Sequence, residues 1–218
     1  MMSVMKLGRF SKIAAAVVAA AAMVGAATAG AVSAEPKAVI GGKAPDFTLS
    51  DTAGVEVKLS EVLKKEKIVV LEWYNPECPF VKKHYDGEKG PKTMIELQKK
   101  FADDVVWLRI NSGAPGKQGA GKEKNIGYAK DFGIATPILL DETGVVGQMY
   151  GAKRTPEMFV ISAEGVIEYH GAIDDNRRTG RKANEVNHVE AALEQLIAGE
   201  TVTVRTTDAY GCSVKYAG

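Results

Sequence analysis

The sequence predicts an α/β domain in which a central mixed β-sheet is flanked by helices. Two near-continuous apolar runs, 67–74 and 105–111, are typical of strands that are buried on both faces. Helical patterns alternate with these runs, as in a sheet that carries helices on both sides. Two further strand patterns, 157–162 and 165–171, predict an antiparallel hairpin at one edge of the sheet.

Residues 1–34 have the layout of a secretory signal peptide. Three basic residues and no acidic residue precede an alanine-rich apolar run, and small residues then lead to Ala34. We expect cleavage after Ala34, so that the protein is exported and is either periplasmic or secreted. The alternative is a retained membrane anchor, although the apolar run is shorter than the roughly 20 residues that span a bilayer.

The remaining residues, 35–218, fit a single domain with a tail from about residue 200 to residue 218. The whole chain has 28 basic and 27 acidic residues, and loss of the three basic residues of the signal peptide leaves 25 basic residues. This near balance does not indicate nucleic acid or an anionic membrane surface as a partner. We expect no stable membrane association after signal cleavage.

The first elements of this domain are predicted to be a β-hairpin and a short helix. Apolar and polar residues alternate on both sides of a turn at 52–54, which indicates two short strands. Ser60 is the expected N-cap of a helix that runs to Lys65. The buried strand at 67–74 follows.

The middle of the chain alternates helices and strands. Pro79, directly after Cys78, predicts a helix start. Backbone N–H groups in the first helical turn have no acceptor within the helix, so proline, which lacks this group, loses no hydrogen bond there. A second helical pattern covers 94–101 and precedes the buried strand already described. A loop rich in glycine and lysine, 112–124, then leads to a short helix at 126–133.

The last part of the domain ends in the clearest helix. A strand at 136–141 precedes the predicted hairpin, and a charged loop follows the hairpin at 174–186. Asn187 is the expected N-cap of the last helix, with Glu190 at the capping-box position. An apolar stripe at helical spacing follows, and Gly199 ends the helix.

Cys78 and Cys212 are the two cysteines of the chain. Export places them in an oxidising compartment, where thiols tend to pair, and two sulfurs permit one intramolecular disulfide. Such a bond is either a structural staple that holds the tail or part of a catalytic cycle. The third possibility is that the two thiols act independently.

The position of Cys78 favours a reactive thiol. A helix N-terminus favours an anion, and Cys78 as the N-cap would place its sulfur there. Lys82, one turn later, would stabilise the thiolate, and so would Arg154 if it points inward rather than into solvent, whereas Glu77 opposes them. We expect the sulfur to be open to solvent at the C-terminal edge of the parallel strands.

Three other residues near this site have two interpretations each. Trp73 either packs in the core or forms a wall beside the thiol. Pro156, if its peptide bond is cis, would bring its loop up against the sulfur. His84 lies six residues from Cys78, so the two do not share a helical face, and we expect a solvated histidine rather than a metal ligand.

Four stretches together are similar to one known family. They are GGKAPDFTLSDTAG (41–54), VVLEWYNPECPF (69–80), YGAKRTPEMFVISAEGVIEYHGAIDD (150–175) and GCSVKY (211–216). They resemble the thioredoxin-like redoxins of the alkyl hydroperoxide reductase and thiol-specific antioxidant type, in particular a subgroup with one active-site cysteine and a Gly-Cys-Ser-x-Lys tail. The resemblance implies a thioredoxin-like fold with an N-terminal β-hairpin and a thiol-dependent oxidoreductase that needs no cofactor or metal ion.

The resemblance also implies roles for individual residues. Cys78 takes the place of the family's attacking cysteine, and Val81 takes the place of its usual partner cysteine. Thr155 and Pro156 take the places of the residue and the cis proline that face the sulfur. The expected substrate groove comprises Trp73, Pro79, Thr155 and Pro156.

The departures from the family pattern leave three functions open. Because Val81 is not a cysteine, Cys212 on a mobile tail is the candidate resolving thiol of an oxidoreductase that exchanges electrons with an external thiol or disulfide partner. A peroxidase that reduces hydroperoxides is the alternative enzyme, although Asn75 and Leu71 replace the hydroxyl residue and the proline of the peroxiredoxin motif. A binding module without catalysis is the third reading.

Overall fold

The structure is a computed structural model that describes residues 37–87, 92–180 and 185–218. The predicted signal peptide and its cleavage site lie outside the described residues. Within these three ranges, no helix is long and apolar enough to cross a membrane.

The secondary structure follows the predicted alternation. The strands are β1 (Thr48–Ser50), β2 (Glu56–Lys58), β3 (Ile68–Trp73), β4 (Val105–Asn111), β5 (Ile138–Leu140), β6 (Arg154–Thr155), β7 (Glu157–Ile161), β8 (Ile167–Gly171) and β9 (Cys212–Ser213). The helices are α1 (Leu59–Leu63), α2 (Pro79–Lys82), α3 (Thr93–Lys100), α4 (Lys122–Phe132), α5 (Val145–Tyr150) and α6 (His188–Ile197).

A five-stranded mixed sheet forms the centre of the domain, in the order β5-β4-β3-β7-β8. Strand β3 pairs in parallel with β4, and β4 pairs in parallel with β5. Strands β7 and β8 form an antiparallel hairpin that extends the sheet beyond β3. This arrangement confirms the predicted mixed sheet and the hairpin at its edge, and β1 with β2 confirms the N-terminal β-hairpin.

The sheet separates two hydrophobic cores. Because successive side chains of a strand point to opposite faces, Val70 of β3 lies in one core and Trp73 lies in the other. The first, here called the Cys78-side core, also holds Cys78 and the apolar face of α6. The second, here called the Trp73-side core, includes Phe159.

Most predicted boundaries are confirmed, and two are wrong. Helix α6 begins where expected, with the Asn187 side chain accepting a hydrogen bond of 2.9 Å from the backbone N–H of Glu190. The N-cap of α1 is Lys58 rather than Ser60, because the Ser60 N–H is already bonded to the Asp46 carboxylate at 2.8 Å. Helix α4 begins at Lys122, four residues before the predicted start.

A charged pair lies inside the sheet, where the sequence predicted only apolar strands. Glu72 and Arg109 are paired in the register of β3 and β4, and both are 0% exposed. The Arg109 Nε lies 3.5 Å from a Glu72 carboxylate oxygen and donates to the Tyr85 hydroxyl at 2.7 Å. Tyr85 and Trp107 donate to the Glu72 carboxylate at 2.6 and 2.8 Å. Burial raises the pKa of Glu72, and Arg109 opposes this effect.

This pair generates a prediction about stability. Arg109→Leu should lower the free energy of unfolding by about 3–5 kcal/mol, because it leaves a carboxylate buried without its counter-charge. The free energy of unfolding of the double variant Glu72→Gln/Arg109→Leu should fall by less than that of the single variant, since no charge remains buried. Urea denaturation of the three proteins measures both differences. A double variant less stable than Arg109→Leu would contradict this account.

Candidate active site

Cys78 stands at the start of α2, as predicted. It is the N-cap residue, with extended backbone angles, and Pro79 is the first helical residue. The helix has only four residues, and the sulfur accepts no hydrogen bond from its N–H groups. Instead the Cys78 thiol donates to the carbonyl oxygen of Thr155 at 3.0 Å. The sulfur is therefore hydrogen-bonded to strand β6 rather than to the helix.

The expectation that the Cys78 sulfur is open to solvent is wrong. Cys78 is 0% exposed and belongs to the Cys78-side core, against which Cys212 of the C-terminal tail packs. Strand β9 pairs with β6, and in this register Cys212 lies opposite Thr155. The tail therefore runs across the carbonyl group to which Cys78 donates.

The close approach of the tail depends on Gly211. Its φ of +117° is one that side-chain-bearing residues rarely adopt. A methyl group in place of its hydrogen would overlap the Thr155 carbonyl oxygen and would lie 3.3 Å from the Cβ of Phe80. Only glycine therefore lets the chain pass this close to the site.

The pairing of β6 with β9 brings Cys212 to the side of Cys78. Cys212 is half-buried, and its side chain packs against the cluster of buried residues that contains Cys78. Burial raises the pKa of the Cys212 thiol to about 11, the contact with Cys78 acts in the same direction, and Lys215 opposes both. Both cysteines are unbonded thiols in this structure.

The tail is packed against the domain, contrary to the expectation of a mobile segment. Tyr216 donates a hydrogen bond of 2.8 Å to the carbonyl oxygen of Ala152. Its ring occupies the space that side chains at Gly144 and Gly147 would fill. On the other side of Cys212, the buried Tyr210 contacts the ring of Phe80 with centroids 5.9 Å apart.

A cluster of buried polar side chains surrounds the Tyr210 hydroxyl. This hydroxyl donates to the Asp174 carboxylate and lies 3.2 Å from the His84 Nε2. The Lys83 ammonium lies 3.7 Å from the same carboxylate and donates to the carbonyl oxygen of Arg178 at 3.0 Å. No sequence pattern indicated this cluster, because its residues come from three separate segments of the chain.

His84 corrects another expectation. It was predicted to be solvated, but it is 3% exposed, because the loop that follows β8 and the tail fold over it. Burial, reinforced by the neighbouring charge of Lys83, lowers its pKa to about 3. The imidazole is therefore neutral at physiological pH. Among the described residues, no group of three or more histidine, cysteine or acidic side chains could hold a metal ion.

Of the other predicted site residues, Thr155 contacts the Cys78 sulfur, whereas Lys82 and Arg154 have other surroundings. The Thr155–Pro156 peptide bond is cis, and Thr155 contacts Cys78 directly. The Lys82 ammonium lies 5.2 Å from the centroid of the Tyr128 ring. The Arg154 side chain is exposed.

Trp73 does not form a wall beside the thiol. It is buried in the Trp73-side core, on the face of the sheet opposite to the core of Cys78. Its indole N–H donates to the Ser112 hydroxyl at 3.1 Å. The core-packing interpretation of Trp73 is therefore confirmed, and the substrate-wall interpretation is wrong.

Asn75 occupies the position where a peroxiredoxin would carry a hydroxyl residue, and its side chain forms hydrogen bonds within the protein. Its side-chain oxygen accepts from the Glu77 N–H at 2.9 Å, and its amide group donates to the carbonyl oxygen of Gln118 at 3.2 Å. The Glu77 carboxylate in turn accepts from the Gly119 N–H at 2.6 Å. These bonds hold the glycine-rich loop against the turn that carries Cys78.

A cleft of about 570 Å³ opens beside the start of α2. Its lining residues are Glu77, Pro79, Lys82, Thr179 and Gly180. Because Glu77 and Pro79 flank Cys78 in the chain, this cleft lies next to the covered thiol. Lys82 and Pro79 both line this cleft, whereas Arg154 is not among the lining residues.

No sequence pattern predicted the residues that hold the tail. Tyr210, Asp174, Lys83 and Gly211 were not singled out, because their contacts join segments that are far apart in the chain. A signal was nevertheless present. An aromatic residue and a glycine directly before Cys212 indicate an anchored, close approach of the backbone.

Sequence comparisons match this chain to a family of redox proteins and to thiol-disulfide oxidoreductases. The model of the AhpC/TSA family matches residues 40–170. A thiol-disulfide oxidoreductase ResA of Geobacillus thermodenitrificans is 30% identical over 130 residues, which cover 59% of this chain and 67% of that protein. The ResA of Bacillus cereus is 28% identical over 63% of this chain and 72% of that protein.

The fold also matches solved structures. The structure of an uncharacterized conserved protein of Geobacillus kaustophilus superposes with a TM-score of 0.73 at 27% identity. The superposition covers 82% of this chain and 93% of that chain. The match therefore includes most of the domain described above.

The buried histidine predicts a pH dependence of stability. The pKa of His84 is about 3 in the folded protein, against 6.5 for an unperturbed histidine. The unfolded chain thus takes up a proton near pH 6.5, while the folded protein does not. The contribution of His84 to the free energy of unfolding is therefore fully present above pH 6.5 and is lost as the pH falls toward 3. When the pH is lowered from 7 to 4.5, the free energy of unfolding of the unaltered protein should fall by about 2–3 kcal/mol more than that of His84→Gln.

Urea denaturation of both proteins across this pH range tests the prediction. Asp174, Lys83 and Tyr210 face the imidazole in both proteins, so their own titration is common to the two curves. Parallel curves for the two proteins would show that His84 is not held neutral by the fold.

Proposed function

The chain belongs to the AhpC/TSA family, and from this premise we propose that it is an exported thiol-disulfide oxidoreductase in which Cys78 and Cys212 form one redox pair. The family match agrees with the resemblance found in the sequence, and the chain is a thiol-dependent oxidoreductase of thioredoxin-like fold. One observation supports the finer proposal: Cys212 lies opposite Thr155, whose carbonyl oxygen accepts from the Cys78 thiol.

The first step is attack by the Cys78 thiolate on a disulfide of the substrate. A bond forms between the Cys78 sulfur and one substrate sulfur, the substrate disulfide breaks, and the other substrate sulfur leaves as a thiolate that takes up a proton. Lys82, at the edge of the neighbouring cleft, would favour the anionic sulfur. Thr155 and Pro156 would place the substrate chain against Cys78, in the way that the family resemblance implies.

The second step is attack by Cys212 on the Cys78 sulfur. The Cys212 thiolate forms the Cys78–Cys212 disulfide and expels the remaining substrate sulfur as a thiol. Two electrons have then passed from the protein to the substrate. Because burial raises the pKa of Cys212, the nearby Lys215 ammonium assists this step by favouring its thiolate.

An external thiol donor would reduce the Cys78–Cys212 disulfide and complete the cycle. The relatives named thiol-disulfide oxidoreductase support a thiol or disulfide partner for this chain as well. Export is supported by the layout of residues 1–34, and the reaction would then take place in the periplasm or outside the cell. We expect residues 35–218 to form the whole active domain.

A hydroperoxide is the second candidate substrate, because the family match includes thiol-specific antioxidant proteins. In that reaction the Cys78 thiolate takes one peroxide oxygen and becomes a sulfenic acid, an alcohol or water leaves, and Cys212 condenses with the sulfenic acid to release water. The structure gives this substrate less support. Asn75 offers no hydroxyl group, and its side chain is already bonded to Glu77 and Gln118.

A reaction with a symmetric small disulfide tests the proposal. The reduced protein should release both halves of the disulfide and end with Cys78 joined to Cys212. Cys212→Ser should release one half and retain the other on Cys78, and Cys78→Ser should react at least about tenfold more slowly, because it lacks the attacking thiol. Thiol release is followed by absorbance, and the joined peptides are identified by mass spectrometry.

The controls separate the alternatives. Hydrogen peroxide at the same concentration should oxidise Cys78 more slowly than the disulfide does, and the reverse order would favour a peroxidase. Thiols that react with neither oxidant would favour a binding module. The absence of a Cys78–Cys212 peptide after complete oxidation would remove Cys212 from the mechanism.

A further inference from the structure

We propose that Tyr210 is a positioning residue for the second step, in which Cys212 attacks the sulfur of Cys78. This inference rests on the function proposed above, because it assigns a role to a residue that touches neither substrate nor a reacting sulfur. Tyr210 stands two residues before Cys212 and is 6% exposed. Its side chain is the nearest buried anchor on the N-terminal side of the resolving thiol.

The hydroxyl group of Tyr210 is held by charged and polar partners. It donates to the Asp174 carboxylate and contacts the His84 Nε2 at 3.2 Å. Asp174 is itself oriented by the Asn176 N–H, which donates to it at 3.0 Å, and by the Lys83 ammonium at 3.7 Å. A hydrogen bond to a buried carboxylate is stronger than one between neutral groups. The hydroxyl therefore contributes to the attachment of the tail.

The ring of Tyr210 connects the tail to the segment that carries Cys78. Its centroid lies 5.9 Å from that of Phe80 and 4.6 Å from the Lys83 Nζ. Phe80 belongs to α2, and Lys83 and His84 follow that helix directly. The anchor thus fixes Cys212 relative to the same stretch of chain that fixes Cys78.

The backbone between the anchor and the thiol leaves little freedom. Gly211 is the single residue between Tyr210 and Cys212, and it packs against the Thr155 carbonyl group. Beyond Cys212, Val214 donates a backbone hydrogen bond of 3.0 Å to Lys153. With Tyr210 in its pocket, Cys212 is held opposite Thr155, beside the sulfur that it must attack.

Anchoring of the tail by Tyr210 promotes the second step but hinders the first, in which the substrate must reach Cys78. Cys78 is 0% exposed, and the tail pairs with Thr155, the residue that accepts from its thiol. A substrate therefore gains access to this sulfur when the tail is displaced. A firmly seated Tyr210 therefore shields Cys78 and, once the substrate is attached, brings Cys212 back for the resolving step. A weaker anchor should speed access to Cys78 and slow resolution. A residue with a purely structural role would not produce these opposite changes.

Tyr210→Phe is the test variant, since it keeps the ring and removes only the hydroxyl group. Tyr150→Phe is the matched control. Tyr150 is also buried, and its hydroxyl donates to the Pro45 carbonyl oxygen at 2.7 Å, but it lies in the Trp73-side core. Gly211→Ala is the reference for a displaced tail, because its methyl group would overlap the Thr155 carbonyl oxygen.

Two rates are measured. Alkylation of Cys78 by iodoacetamide, in a Cys212→Ser background, reports access to the sulfur. Loss of glutathione from a Cys78–glutathione mixed disulfide, with Cys212 present, reports resolution. Tyr210→Phe should raise the first rate and lower the second, each by about tenfold, as expected for the loss of a buried hydrogen bond to a carboxylate. Tyr150→Phe should change both rates by less than about twofold, since its bond does not hold the tail.

The outcomes separate this inference from the proposed function. If the unaltered protein resolves the mixed disulfide and Tyr210→Phe does so equally fast, the role of Tyr210 is refuted and the proposed function stands. If Gly211→Ala gives the paired changes and Tyr210→Phe does not, tail closure stands without Tyr210. If the unaltered protein never releases glutathione, the proposed function falls and the inference falls with it.

Discussion

The short pairing between β6 and β9 is the contact on which the account of this protein depends. It joins Thr155, next to a cis proline, to Cys212 near the end of the chain. The Thr155 carbonyl group accepts from the Cys78 thiol, so a single residue is bonded to one cysteine of the candidate redox pair and lies opposite the other in the strand register. Without this pairing Cys78 would be an isolated thiol at the start of a four-residue helix.

The surroundings of the pair combine tight packing with buried charge. Gly211 allows the backbone to approach, and the cluster of Asp174, Lys83 and His84 receives the hydroxyl of Tyr210. Buried charges are costly unless they are paired and hydrogen-bonded. This cluster includes Lys83 and His84, which directly follow α2, and it binds the Tyr210 side chain of the tail. The cost is consistent with a role in orienting the thiols rather than in stability alone.

The fold was largely predictable from the sequence, whereas the site was predictable only in part. Apolar runs and a capping box are local signals, so β3, β4 and α6 were found with nearly correct ends. The start of α2 at Cys78 was found from Pro79 alone. Burial of Cys78 and His84 was not, because these residues contact Thr155, Asp174 and Tyr210, which are distant in the chain, and no local pattern encodes those contacts. Helix α5 was also missed, since its glycine-containing sequence is stabilised by Asp141, which accepts from the Gly147 N–H at 2.8 Å.

The central claim is that Cys78 and Cys212 act as one two-electron redox couple. A redox titration of the protein against defined ratios of reduced and oxidised dithiothreitol, with both thiols followed separately by mass, tests it most directly. The account predicts that the two thiols disappear together in a single transition, with about 30 mV for each tenfold change in their ratio. Two separate transitions, or oxidation of one cysteine while the other remains a thiol, would contradict it.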